Sequence, residues 1–538
     1  MMSLRCRPLC LTAIVYLVPL FGSSLKAAEP IAKQTAKGVV FHDQNGNGTR
    51  DEGESGVEGV RVSNGEAVVL TGADGRYTLP VDGDTILFAC KPQGWIYPVD
   101  ENNLPQFFYI HKPNGSPDDD FRFKGSEPTG PLPESVDFAL RPFQAPSVIR
   151  AVLLGDPQPV SIEEVQFFGR DIMSELVDVD AEFGVTLGDI VGNQLDLFQP
   201  MIEMQGLAGI PWHNVIGNHD INFRAPDDEH ANETFHKAFG PSDYAFQYGD
   251  VHFLAMDNIV YHGFERKGYH AGLSKRQLAF MENYLHTVPQ NHRILIGTHI
   301  PLTNGIPGEE QPTPELKRVL ELLSRFPHTA SFSAHTHLNA IYHLGSEFGY
   351  HSHDHGVHIH HNVGTASGTW WKGPLDSRGI PMTTMRDGTP NGYAIATFDG
   401  PKMSVKWKAA NHEEDYQMNL FVADGIAADQ LSSDKGEVLV NVFNGSHSSH
   451  VKMRVVGHSE WVAMKHEHRN DPHYVRQQSI DESTPMEGTK RMNRPRESTH
   501  IWVGHLPNVL PKGTHLLEVQ AEDAYGETFT DRRPFRVQ

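Results

Sequence analysis

An α/β core with an all-β region at each end is the architecture that this 538-residue sequence predicts. Three observations predict it. Across residues 147–405, apolar runs alternate with amphipathic stretches such as SIEEVQFFGRDIMSELVD and LSKRQLAFMENYLHTV, and that alternation marks strands interleaved with helices. Residues 35–142 and 415–538 instead show short period-two segments between glycine-rich turns, the pattern of sheets without helices. Finally, five apolar runs of the central region end alike, at a small residue followed by an oxygen or imidazole side chain.

The chain is long enough for about three domains, each with its own core. A formal charge of −22 without a basic patch speaks against nucleic acid as a partner and is compatible with cation binding. Residues 1–28 read as a secretory leader: Arg5 and Arg7 precede an apolar run over 9–21, and Ala27 and Ala28 close it. Pro19 and the short run disfavour a retained transmembrane helix, so an exported chain, periplasmic or extracellular and without a membrane anchor, is expected. Cys6 and Cys10 lie in the leader, which leaves Cys90 alone and excludes an internal disulfide.

In the first β region, GVRVSNG, EAVVLTGADGRYTLPV and GDTILFACKPQG read as strands. Its opening turn, residues 43–54, places Asp43, Asn45, Asn47, Thr49, Asp51 and Glu54 at positions 1, 3, 5, 7, 9 and 12 of a calcium loop, with Gly48 at position 6. Strands rather than helices flank it, and the stretch resembles the calcium-binding loop of Sdr-type B repeats in bacterial surface proteins. A polar hairpin without metal is the alternative. Residues 128–146 are proline-rich and read as a linker with one short strand.

The central strands follow in order. VIRAVLLGDPQ delivers Asp156 and Gln158, EFGVTLGDIVGN delivers Asp189, and IPWHNVIGNHD delivers Asn218 and His219. HRILIGTHIPL then delivers His299, and TASFSAHTHLN delivers His335 and His337, two positions apart and so on one face of an extended chain. Ligands gather outside the carboxyl ends of strands in open α/β sheets. In the helix after Gly272, Ser274 and Gln277 stand at capping-box spacing. The last β region holds six strand-like runs from LFVADG to FTDRRPFRV, interrupted by residues 465–496, expected as a long exposed loop.

The strand-tip motifs DPQ, GDIVGN, GNHD, GTH and AHTH resemble, in order and spacing, those of the calcineurin-like metallophosphoesterase family over residues 148–400. The segment from TASGTWWKG onward is similar to that of a bacterial exported subgroup with N- and C-terminal β domains. The resemblance implies a β-sandwich flanked by helices and a hydrolase acting on phosphoric esters through a metal-bound hydroxide. It implies two divalent ions, Mn, Fe or Zn, one on Asp156, Gln158, Asp189 and His337 and the other on Asp189, Asn218, His299 and His335. His219 would face the leaving group as general acid, with Asp220 orienting its ring. Two residues depart from the family pattern: Gln158 stands where many members have His, and Asn193 replaces a second carboxylate.

Candidate pocket residues are His360 and His361, from the histidine-rich segment 351–362, with Trp370, Trp371 and Asn391. Neither phosphodiester nor phosphomonoester is singled out by the ligand set. Two alternatives stand beside the phosphoesterase: a cell-envelope metal-binding protein without turnover, and a nucleotidase or nucleotide pyrophosphatase with a base stacked on Trp370 or Trp371.

Overall fold

The computed structural model describes residues 34–117, 121–352 and 356–538, so the expected leader over 1–28 lies outside the described residues, as do His353 and His355. Two sheets face each other at its centre. The first runs, edge to edge, Trp212–Val215, Phe183–Leu187, Val148–Leu154, Gly392–Asp399 and Lys402–Ala409. The second runs Tyr244–Tyr248, Val251–Ala255, Arg293–Gly297, His328–Ser333, His358–Asn362 and Ala340–Leu344. The strands that carry the motifs pair in parallel within each sheet. Their carboxyl ends therefore lie at one edge.

Burial on both faces explains why these strands are almost wholly apolar. In Val148–Leu154 the side chains alternate: Ala151 and Leu153 enter the core between the sheets, and Val152 and Leu154 meet Val165, Phe168 and Ile172 of the outer helical layer. That layer begins with Ile162–Phe168, whose N-terminus is capped by the Ser161 side chain, and continues through a π-helical turn, Gly169–Met173. Over the other sheet lie Lys275–His286 and Leu316–Leu323. Ser274 and Gln277 form the reciprocal bonds of the expected capping box. The result is helix, sheet, sheet, helix.

The N-terminal region forms two four-stranded sheets. The strand inside the proline-rich stretch, Phe138–Pro142, lies parallel to Gln34–His42 and completes one of them. Its core merges with the central one, where the Phe88 ring meets Phe280 at 5.7 Å. The C-terminal region has its own core between a four- and a five-stranded sheet. It meets the centre through polar bonds: Asn339 donates to the Phe443 carbonyl, Asn441 to the Asp387 carbonyl, and Tyr525 pairs with His361.

Residues 465–496 are not the expected loop. They contain a strand, Lys465–Arg469, and a helix, Pro472–Ser483, that begins where Asp471 accepts the Tyr474 N–H and proline occupies the first turn. The helix buries Tyr474, Gln478 and Asp481, so polar residues hold it down and no apolar stripe announces it. Among the described residues no helix is long and apolar enough to cross a membrane.

His358, His360 and His361 are fully buried in the second sheet. Ser331 bonds both His358 and His360, Ser333 bonds His360, and Asn339 bonds His361. The expectation that His360 and His361 line a pocket fails, because they are rungs of the sheet interior. Burial lowers all three from the usual 6.5 to about 3. Below pH 6.5 the unfolded chain therefore takes up protons that the native chain refuses, and stability falls with pH by up to about 1.4 kcal/mol per unit for each histidine. Urea unfolding at pH 7.5 and 5.5 is expected to show a shallower acid loss in a His358→Gln/His360→Gln variant than in the parent; equal losses would contradict the assignment.

Candidate metal centre

Five strand ends from the two sheets bring Asp156, Gln158, Asp189, Asn218, His299, His335 and His337 together. All are buried except His335, which is half-buried. Glycine at the strand ends permits the approach: a Cβ on Gly188 would lie 2.4 Å from His299 Nδ1, and one on Gly217 would lie 2.1 Å from the Asp189 nitrogen. Asp156, Gln158, Asp189, His335 and His337 all have φ between 33° and 68°. Non-glycine residues enter this left-handed region rarely, and strain of this kind gathers at functional sites.

The imidazoles are fixed in one tautomer by the backbone. His299 Nδ1 donates to the Leu187 carbonyl at 2.8 Å, and His337 Nδ1 donates to the Gly368 carbonyl at 2.5 Å. In the neutral ring each leaves Nε2 as a bare lone pair, as metal-ligating histidines do. His337 Nε2 faces Gln158 Oε1 at 3.1 Å and Asp156 Oδ2 at 2.9 Å. His299 Nε2 faces Asn218 Oδ1 at 3.1 Å, Asp189 Oδ2 at 3.2 Å and His335 Nδ1 at 3.2 Å. Asp156 Oδ2 is buried and makes no hydrogen bond despite its neighbour. Acceptor atoms thus crowd together around His337 and around His299, and Asp189, His299 and His335 bring their ligand atoms close enough to hold a metal ion. Asp189 Oδ2 lies beside His299 and also accepts a hydrogen bond from Gln158 Nε2 at 3.3 Å, so it stands between the two groups.

Charge reinforces the arrangement. Burial disfavours an ionised Asp189, but His299, His219 and His335 outweigh it and hold the carboxyl well below its usual range. Burial also opposes protonation of His299, yet Asp189 and Asp156 lift it to about 9. His335 is lowered to about 4 by burial and by His299. Without a cation, one proton shared around His299 is the remaining relief. The residues fit a metal ion, with oxygen and imidazole donors and no thiolate.

His219 stands half-buried at the rim. Its Nδ1 lies 2.9 Å from Asn193 Oδ1, and no described residue hydrogen-bonds its Nε2. The orienting contact expected of Asp220 is therefore made by Asn193. Asp220 turns away and accepts the N–H groups of Ile190, Val191 and Gly217, tying the Asp189 loop to the GNHD loop. Burial and then Asp189 push its carboxyl up to about 8.

The two tryptophans separate. Trp370 is half-buried with its ring 4.1 Å from that of His337, whereas Trp371 is buried and donates to the Pro157 carbonyl. Trp371 is thus a core residue. Asn391 does not reach the site; it bonds Asp171 and the Ala366 carbonyl. Tyr269, which no motif announces, stands edge-on to His335 with the ring centroids 6.3 Å apart. In the 43–54 turn, Asn45 and Asn47 both donate to Asp51 Oδ2, while Asp43 and Glu54 accept backbone N–H groups and Thr49 N–H donates to Asn47.

Two family models match the chain, the N-terminal part of calcineurin-like phosphoesterase over residues 44–127 and its C-terminal part over 360–529. The five ligand-bearing strand ends lie between them. A search of curated proteins finds no match. Among solved structures, a purple acid phosphatase from yellow lupin (Lupinus luteus) is 13% identical with a TM-score of 0.36, covering 65% of this chain and 71% of its own. A metallophosphoesterase from Sphaerobacter thermophilus is 16% identical with a TM-score of 0.22, covering 49% and 90%.

The division of labour between Asp220 and Asn193 is measurable by urea unfolding. Asp220→Ala leaves three buried N–H groups unpaired and is expected to cost about 3 kcal/mol or more, Asn193→Ala less than about 1 kcal/mol. The reverse order would contradict these two roles.

Proposed function

We propose that this chain, which belongs to the calcineurin-like phosphoesterases and is a hydrolase of phosphoric esters, works with two divalent ions that share Asp189. The observation that carries this reading is the pair of lone-pair clusters around Asp189, each with an imidazole whose tautomer a backbone carbonyl fixes. Asp156, Gln158 and His337 would hold one ion, and Asn218, His299 and His335 the other. Mn, Fe or Zn bound there would supply the Lewis acidity that activates water and neutralises charge at phosphorus.

The chain's own residues do the rest. Asn193 holds the His219 ring through Nδ1, so that in the imidazolium form the Nε2 proton points free and can pass to the departing oxygen, leaving the neutral ring. That unspent nitrogen speaks for turnover rather than for metal storage. Trp370, beside His337, supports a second reading in which the substrate is a nucleotide whose base stacks on the indole. The leader-like residues 1–28 support action outside the cytosol. The convergence of Asn45, Asn47 and Asp51 supports a calcium ion in the 43–54 loop. Calcium is then expected to raise the thermal midpoint of the parent but not of Asp51→Ala; an equal response would remove that assignment.

The activity test uses metal-stripped protein reloaded separately with Mn, Fe or Zn. Hydrolysis of bis-p-nitrophenyl phosphate and p-nitrophenyl phosphate separates diesterase from monoesterase. His219→Ala is expected to lose on the order of 100-fold in kcat on phenyl esters. The loss should be smaller on nitrophenyl esters, whose leaving group needs a proton less. Equal losses on both would contradict proton donation, and no metal-dependent turnover of any ester would contradict the function.

A further inference from the structure

A cavity of about 860 Å³ adjoins the metal centre, with His335 and Thr336 in its lining. Its size suits a small-molecule ligand. Another part of its wall comes from the C-terminal region: His468 and Asn470 at the end of Lys465–Arg469, and Arg496 just ahead of Ser498–His505. One hollow is thus lined both by a candidate metal ligand and by a segment remote from the catalytic core in sequence.

Arg496 is the unusual member of that wall. It is exposed, and its guanidinium makes neither a hydrogen bond nor an ion pair with any described residue. Its charge is felt by the phenol of Tyr342, which lines the same cavity. Glu497 lines the cavity too, yet the two do not pair. In a chain of formal charge −22, that guanidinium is a cation open to an anion, in a cleft that Asp387 and Glu497 also line. Its planar fork matches phosphate or carboxylate bidentately.

We infer that Arg496 binds a second anionic group of the substrate, so that the preferred esters carry a phosphate or carboxylate besides the scissile phosphoester. The inference rests on the phosphoesterase reading, and it makes the C-terminal region part of the substrate site. Arg496 is then a specificity-determining residue that takes no part in the bond change.

The test compares matched substrates that differ by one phosphate: thymidine 5′-(p-nitrophenyl phosphate) with and without a 3′-phosphate, and fructose bisphosphate against fructose monophosphate. The metal-loaded parent should show the lower KM for the more highly charged member of at least one pair. Arg496→Ala should raise that KM about tenfold with kcat little changed, and Arg496→Lys should recover part of the loss. Bis-p-nitrophenyl phosphate, which has no second anion, should be hydrolysed alike by all three. Equal KM values within both pairs in the parent, or a loss in Arg496→Ala that is the same on bis-p-nitrophenyl phosphate, would overturn the inference while leaving the phosphoesterase intact. No turnover by the parent of any ester would overturn the phosphoesterase reading, and this inference with it.

Discussion

The Asp189 carboxylate lies between two groups of lone pairs, and the organisation of the surrounding structure follows from keeping it there. One of its oxygens approaches His299 on one side and accepts from the Gln158 amide on the other, while its second oxygen accepts the His219 backbone N–H. A buried carboxylate among bare imidazole nitrogens is costly to assemble without positive charge. The fold meets that cost with covalent and hydrogen-bonded restraint: parallel strands ending at one edge, backbone carbonyls holding two imidazoles, and Asp220 binding three N–H groups of the loops on either side. Left-handed backbone at five of the ligand positions is the visible strain of that restraint.

Much of this was legible in the sequence for physical reasons that can be named. The glycines of GDIVGN and GNHD precede or abut ligands because no side chain fits where one loop crosses another, as Gly188 and Gly217 demonstrate. The apolar runs before them are continuous because each strand is covered on both faces. The capping pair Ser274 and Gln277 is a local device and was readable locally.

What escaped reading depends on contacts between distant segments. HIHHN reads as a pocket wall because histidine is polar, yet Ser331 and Ser333 from the neighbouring strand satisfy it inside a sheet. Nothing near GNHD reveals that Asn193 rather than Asp220 meets the His219 ring, since that depends on the turn after a different strand. The Pro472–Ser483 helix lacks an apolar stripe and is held through Tyr474, Gln478 and Asp481. Trp370 and Trp371 are adjacent and of one type, and only the local chain path puts one beside His337 and the other into the core.

The most direct test of the shared carboxylate is metal content. Protein loaded with Mn or Zn and freed of excess by gel filtration should hold two ions per chain at the central site. Asp156→Ala, which touches one cluster, should lose one of them, and Asp189→Ala should lose both. A single ion in the parent, or an Asp189→Ala variant that keeps the full complement while folded, would contradict the account.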